Sequence, residues 1–115
     1  MRENLIKLKS FEFALLIIEV YKRLKEEHEF ILSKQLLRSG TRIGANIFES
    51  EAAQSKADFI SKMSIASKEA RETMYWLMLL EKSELVKMDY RYVSMECESI
   101  IKILTSIVKT SKSNN

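Results

Sequence analysis

The sequence contains no proline, two glycines and one cysteine among its 115 residues. Because proline and glycine interrupt helices, their scarcity favours an all-α fold with long helices over strands separated by turns. The single cysteine, Cys97, excludes an intrachain disulfide and is expected to be a buried thiol in a reducing compartment. A chain of this length is expected to form a single domain over residues 1–115.

Long apolar runs are also lacking. The two longest, FALLII and MYWLMLL, fall far short of the roughly 20 residues that span a bilayer. The N-terminal stretch MRENLIKLKSFEF alternates charged and apolar residues and lacks the continuous hydrophobic region of a signal peptide. We therefore expect a cytoplasmic protein with no membrane partner.

Histidine is equally scarce, because His28 is the only one in the chain. A di-iron site in a helical bundle needs Glu-x-x-His on each of two helices, which one histidine cannot supply. The sequence also lacks the HExxH, CxxC and GxSxG motifs. Glu49, Glu69 and Glu72 are better explained by pairing with lysine and arginine than by a carboxylate site. We predict a non-enzymatic protein with no catalytic, cofactor-binding or metal site.

Apolar residues recur at helical spacing in four segments. These segments are Ser10–Glu27, Phe30–Ala53, 55–80 and 89–108. Ser55 and Asp58 form the pattern of a capping box at the start of the third helix, and Asp89 is the expected N-cap of the fourth. A frayed tail is expected at about residues 109–115. Because short connections between long helices force antiparallel neighbours, the predicted fold is an antiparallel up-down four-helix bundle.

Both glycines of the chain, Gly40 and Gly44, lie one turn apart inside the second helix. Together they cost about 2 kcal/mol relative to alanine, so a compensating role is expected. The surrounding sequence has neither the P-loop nor the dinucleotide-binding pattern. A close helix crossing, in which a neighbouring backbone or bulky side chain approaches the glycines, is the favoured interpretation.

Polar residues accompany the glycines at a spacing that places them on one helix face. They are Arg38, Arg42, Asn46 and Glu49. We predict an interhelix network in which Arg38 meets Glu69 or Glu72 of the third helix, while Asn46 and Glu49 bond across the helix pair. A solvated charged face is the alternative.

The third helix carries more apolar surface than one core-facing stripe requires, because MYWLMLL is apolar on all sides. A single bundle has too little interior to cover that surplus, so the excess predicts a subunit interface. The candidate interface residues are Tyr75, Trp76, Met78 and Leu79. A monomer with an unusually apolar surface is the alternative.

The formal net charge of +3 permits a nucleic-acid partner without requiring one. The candidate nucleic-acid contacts are Lys22, Arg23, Lys25, Lys102, Lys109 and Lys112. No acidic residue follows Glu98, so the end of the fourth helix is the clearest basic strip. The alternative is that these lysines only keep an assembly soluble.

Two stretches resemble the small bacterial four helix bundle protein family, also called the 23S rRNA intervening-sequence protein family. They are QLLRSGTRIGANIFES, at residues 35–50, and KADFISKMSIASKEARETMYWLMLL, at residues 56–80. By this resemblance the family's characteristic positions are Gln35, Arg38, Asn46, Glu49, Phe59, Ala66, Glu69, Glu72 and Trp76. Arg42 stands where the family usually has serine, and Phe48 where it usually has a small residue.

The resemblance implies a four-helix subunit that closes into a ring-shaped homopentamer. Some members are encoded within inserts in large-subunit ribosomal RNA genes. Relatives include the accessory variability determinant of diversity-generating retroelements, which binds a reverse transcriptase and nucleic acid through a basic surface. The implied partners are further copies of the chain and RNA or a nucleic-acid-bound protein. RNA binding and a protein-interaction scaffold without nucleic acid remain as alternatives.

Overall fold

The computed structural model describes residues 2–114 and has four helices. They are α1 (Arg2–Glu26), α2 (Leu32–Ser50), α3 (Lys56–Ser83) and α4 (Arg91–Ser113), and no strand occurs in these residues. α1 and α3 each pack against both α2 and α4, whereas the diagonal pairs are not in contact over the described range. The start of α1 meets the end of α2, where Lys7 pairs with Glu51 at 2.9 Å. This packing is that of an antiparallel four-helix bundle.

The start of α3 follows the predicted capping chemistry. Ser55 has an extended backbone, and its hydroxyl accepts a hydrogen bond from the Asp58 amide at 3.0 Å. The Asp58 carboxylate accepts from the Gln54 amide at 3.2 Å. Two amides at the helix entrance thereby gain acceptors, and the predicted helix start is confirmed.

The start of α2 is capped by a residue that the sequence pattern did not reveal. The Glu29 carboxylate accepts hydrogen bonds from the amides of Ile31 and Leu32 at 3.1 Å and of Ser33 at 2.6 Å. His28, just before it, has a left-handed backbone with φ of 63°. This turn places Glu29 over the start of the helix, where a carboxylate also interacts favourably with the positive end of the helix dipole.

Helix α1 begins earlier than the sequence predicted, at Arg2 rather than Ser10. The buried row of α1 extends toward the N-terminus through Ser10 to Ile6, and both residues are at most 1% exposed. The Ser10 hydroxyl donates to the Lys7 carbonyl at 3.1 Å, which allows it to lie inside an apolar row. A polar residue at a buried position concealed this part of the stripe.

Helix α4 continues to Ser113, beyond the point at which a frayed tail was expected. Its last turns remain attached to the bundle, because Ile107 is buried and Lys56 at the start of α3 donates to the Asn114 carbonyl. At the other end of α4, the Asp89 carboxylate accepts from the Arg91 amide at 2.9 Å. Hydrogen bonds from Arg91 lower the pKa of Asp89 to about 2.

The core lies along the inward faces of all four helices. On α3 the predicted stripe is buried at Met63, Ala66, Ala70, Thr73, Leu77 and Leu80. Cys97 of α4 is also buried, and its thiol donates to the Ala70 carbonyl at 3.3 Å. Burial raises the pKa of this thiol to about 12, so it remains protonated at neutral pH.

Candidate functional site

Both glycines face α1. A β-carbon added at Gly40 would lie 2.8 Å from Ile17 Cγ1 and 2.9 Å from Ile17 Cγ2, closer than carbon atoms pack. At Gly44 an added β-carbon would lie 3.4 Å from both the carbonyl and the hydroxyl oxygen of Ser10. Gly40 therefore makes room for a β-branched side chain, and Gly44 lies beside the backbone of α1.

Two polar residues of α2, Arg42 and Glu49, lie on a different side of the helix from the glycines and pair with α3. Arg42 Nε pairs with Glu69 Oε2 at 3.1 Å, and Glu49 Oε1 pairs with Lys62 Nζ at 2.9 Å. The hydrogen bond to Glu49 is the main reason that the pKa of Lys62 is raised. The glycine crossing with α1 and the charged face toward α3 are thus separate features of α2.

The predicted role of Arg38 in this network is wrong. Arg42, one turn further along α2, pairs with Glu69, and Arg38 is exposed. The Glu72 carboxylate accepts a hydrogen bond from Trp76 Nε1 at 3.0 Å instead. Asn46 also does not bond across the helix pair, because its Nδ2 donates to the Arg42 carbonyl of its own helix at 2.9 Å.

A buried contact between α2 and α3 was not predicted. The hydroxyls of Thr73 and Ser39 are hydrogen-bonded at 2.8 Å, and both residues are fully buried. Neither residue type stands out in a hydrophobic pattern, so only the packing of the two helices reveals the pair.

The candidate interface residues of α3 divide into two kinds. Tyr75 is 55% exposed and Met78 is 53% exposed, whereas Trp76 and Leu79 are partly buried within the subunit. The rings of Tyr75 and Trp76 meet edge to face, with centroids 5.2 Å apart and an interplanar angle of 69°. The apolar surface that this helix leaves exposed is therefore smaller than its sequence indicated.

A second exposed apolar surface lies between α1 and α2. There, Leu8, Phe11 and Phe48 line a groove of about 650 Å³ that has Gly44 and Ala45 along one side. We call it the apolar groove. Phe48 is 68% exposed and Phe11 is 64% exposed, so two aromatic side chains stand largely in solvent. An exposed patch of this kind is typical of an interaction surface.

The basic residues singled out in the sequence fall into separate places. Lys22, Arg23 and Lys25 lie near the end of α1, whereas Lys109 and Lys112 lie near the end of α4. Because α1 and α4 are antiparallel neighbours, these ends lie at opposite ends of the bundle. Charge is also neutralised locally, since Lys22 pairs with Glu19 at 3.3 Å and Lys102 with Glu98 at 3.4 Å. The six residues do not form one surface.

Lys109 and Lys112 instead share a groove with two cationic residues of α3, Lys68 and Arg71. A groove of about 400 Å³ between α3 and α4 is lined by Lys68, Arg71, Lys109 and Lys112, together with Ser64, Ser67, Thr105 and Val108. We call it the basic groove. None of these eight described residues carries a carboxylate, and Arg71 Nη2 donates to Thr105 Oγ1 at 3.1 Å across the groove. Clustered cations and hydroxyls suit phosphate oxygens.

Sequence reasoning missed Lys68 and Arg71 as members of this site. They lie three residues apart on one face of α3, which is a pattern that a solvated helix shows as well. Their relation to Lys109 and Lys112 depends on how α3 and α4 pack. The signal in the sequence was the absence of acidic residues after Glu98, and it identified only the α4 side of the groove.

Among residues 2–114, no cluster of three or more histidine, cysteine, aspartate or glutamate side chains is suited to hold a metal ion. No helix in the same range is long and apolar enough to cross a membrane.

Comparison with known proteins identifies the family. No protein of curated function is significantly similar to the chain. A solved structure of a protein of unknown function from the S23 ribosomal protein family of Bacteroides thetaiotaomicron is 52% identical, with a TM-score of 0.90, over 95% of this chain and 99% of that chain. Residues 2–106 match the family described as 23S rRNA-intervening sequence protein. The resemblance seen in the sequence is confirmed, and the chain belongs to the 23S rRNA-intervening sequence protein family.

Proposed function

We propose that this protein is a non-catalytic, self-associating protein that binds RNA through the basic groove. The observation that carries the proposal is the convergence of Lys68, Arg71, Lys109 and Lys112 on one groove between α3 and α4. The family name refers to ribosomal RNA, which agrees with an RNA partner. Protein cations that contact phosphates release counterions from the nucleic acid, which provides affinity without reading the base sequence.

Self-association would strengthen this binding by bringing several grooves together. Five copies of a subunit with net charge +3 would carry about +15, enough to attract RNA over longer distances at low salt. The apolar groove supplies a surface for such contacts, because Leu8, Phe11 and Phe48 would leave water when a second copy covered them. The pentamer remains the oligomer that the family resemblance implies.

RNA binding is tested by measuring the salt dependence of affinity with fluorescently labelled RNA. Lys109→Gln combined with Lys112→Gln should reduce the slope of log K against log salt concentration by about 1.4, at about 0.7 for each lost contact to a single strand. The matched control is Lys22→Gln combined with Lys25→Gln, which removes the same charge from α1 outside the groove. The control should leave the slope nearly unchanged.

Equal losses in the two double variants would refute the basic groove as the binding surface. They would show that only total charge matters. The absence of salt-sensitive RNA binding by the unmodified protein would refute the RNA-binding function altogether.

Self-association is tested by light scattering at micromolar concentration. The unmodified protein should have a mass several times the 13.4 kDa of one chain. Phe11→Glu combined with Phe48→Glu should shift the mass toward the monomer, because two charges in the apolar groove would have to be desolvated. Tyr92→Glu, at a tyrosine 60% exposed on α4, is the control. A monomeric unmodified protein would refute the proposal.

A protein-interaction scaffold is the second candidate function. The apolar groove favours it, since apolar surface suits a protein partner better than RNA. Isolation of complexes from lysate with and without nuclease separates the two functions. Partners lost on nuclease treatment indicate an RNA-mediated role, whereas partners that persist and require Phe11 and Phe48 indicate a scaffold.

A further inference from the structure

An exposed aromatic residue, Tyr75, lies on α3 one helical turn after Arg71, a lining residue of the basic groove. Lys68, Arg71 and Tyr75 are spaced by three and four residues, so they follow one another along a single helix face. Arg71, which lines the basic groove, and an aromatic ring that is 55% exposed thus lie one helical turn apart on α3.

The position of the Tyr75 ring is constrained by its neighbours. Its ring meets the Trp76 indole with centroids 5.2 Å apart at an angle of 69°. The indole is in turn held by its hydrogen bond to the Glu72 carboxylate at 3.0 Å. An aromatic ring with restricted motion loses little conformational entropy when a ligand stacks on it.

We propose that Tyr75 is a stacking site for an unpaired base of the RNA whose phosphates lie in the basic groove. The proposal rests on the RNA-binding function above and specifies its ligand as single-stranded RNA. Bases in a duplex are stacked on one another, so their faces are not available to an aromatic side chain, whereas unpaired bases stack on aromatic rings. The site therefore discriminates between strands by pairing state rather than by base identity.

The competing role for Tyr75 is a contact between subunits, as its sequence environment predicted. The two roles differ in what they require of the side chain. Stacking needs an aromatic ring. If Tyr75 only stacks on a base, loss of its ring leaves the mass of the assembly unchanged. A subunit contact needs apolar area, which leucine also supplies.

The test compares the affinities of a labelled single-stranded RNA and of its duplex for Tyr75 variants at one salt concentration. Tyr75→Leu should weaken single-strand binding about tenfold, while duplex binding changes little. Tyr75→Phe keeps the ring and should keep the affinity. Tyr92→Leu removes another exposed tyrosine outside the basic groove and is the control. In the unmodified protein, single-stranded RNA should also change the fluorescence of Trp76, the only tryptophan.

Two results would overturn the stacking role while leaving the RNA-binding function intact. One is an unchanged preference for single strands in Tyr75→Leu, provided that the Lys109 and Lys112 variant still loses affinity. The other is a lower solution mass of Tyr75→Ala by light scattering, because alanine removes the apolar area as well as the ring and a lower mass would identify Tyr75 as a subunit contact. Failure of the unmodified protein to bind any RNA would instead refute the function on which the stacking role rests.

Discussion

Replacing Gly40 with alanine should destabilise the protein, although alanine is the better helix former. The substitution gains about 0.8–1 kcal/mol of helix propensity. Against this gain, the new β-carbon would lie 2.8 and 2.9 Å from the two γ-carbons of Ile17, a fully buried residue. Overpacking of this kind costs about 1–3 kcal/mol.

The upper part of that range applies because Ile17 has little freedom to move. A β-branched side chain in a helix has one strongly preferred rotamer, so both γ-carbons follow the backbone of α1. Relief of the contact requires α1 itself to shift away from α2. We therefore expect a net loss of about 1–2 kcal/mol in the free energy of unfolding of Gly40→Ala.

Gly44→Ala is the matched control and should have the opposite sign. Its added β-carbon would make ordinary contacts at 3.4 Å with Ser10 and would border the apolar groove. The gain in helix propensity then dominates, and the variant should be more stable by up to about 1 kcal/mol. Both glycines lie inside α2, and they differ in the α1 residue packed against them, Ile17 at Gly40 and Ser10 at Gly44.

Urea unfolding followed by circular dichroism measures both changes. The midpoint should fall by about 0.5–1 M for Gly40→Ala and rise for Gly44→Ala, with unchanged slopes. Protein concentration must be equal in all samples, because self-association would raise the apparent stability. In an Ile17→Ala background the clash is absent, so Gly40→Ala should become stabilising. A Gly40→Ala protein more stable than the unmodified one would refute this explanation of the glycine.

Three further predictions concern buried polar groups. Glu29→Ala should reduce stability to urea by about 1–2 kcal/mol, because three amides at the start of α2 lose their acceptor, and Glu29→Gln should lose less. Ser33→Ala should raise the midpoint of thermal unfolding, since the buried Ser33 hydroxyl has no partner among the described residues, whereas Ser39→Ala should lower it. Cys97 should resist a thiol reagent at pH 8 until urea is added. Its pKa of about 12, against 9.0 for a free thiol, reduces the thiolate about a thousandfold. Because the unfolded thiol loses its proton near pH 9, stability should fall as the pH rises from 9 toward 12.

The number of helices and much of their burial could be predicted from the sequence. The stripe of α3 from Met63 to Leu80 is buried as its spacing indicated, and Ser55 begins that helix as a cap. Both signals arise from residues three or four positions apart, which are neighbours on any helix. The first turns of α1 were missed because Ser10 interrupts the apolar stripe, and Gly44 on α2 lies beside Ser10 there.

The candidate site was predicted only in part, because its residues come together through packing between helices. Helical spacing placed Arg38 and Arg42 on one face, but the rotation and register of α2 against α3 select Arg42 as the partner of Glu69. The absence of acids near the end of α4 indicated Lys109 and Lys112. Their convergence with Lys68 and Arg71 depends on packing between helices that lie some forty positions apart in the chain.

By itself, the sequence determined four helices, much of the apolar stripe that each turns inward, and membership of the 23S rRNA-intervening sequence protein family. These properties follow from contacts between near neighbours in the chain and from two long matching stretches. The tertiary structure alone decided that the glycines face α1, that the charged residues of α2 face α3, and that four cations share one groove. Such pairings depend on how antiparallel helices rotate and slide against each other, and helical periodicity is the same for every rotation and register.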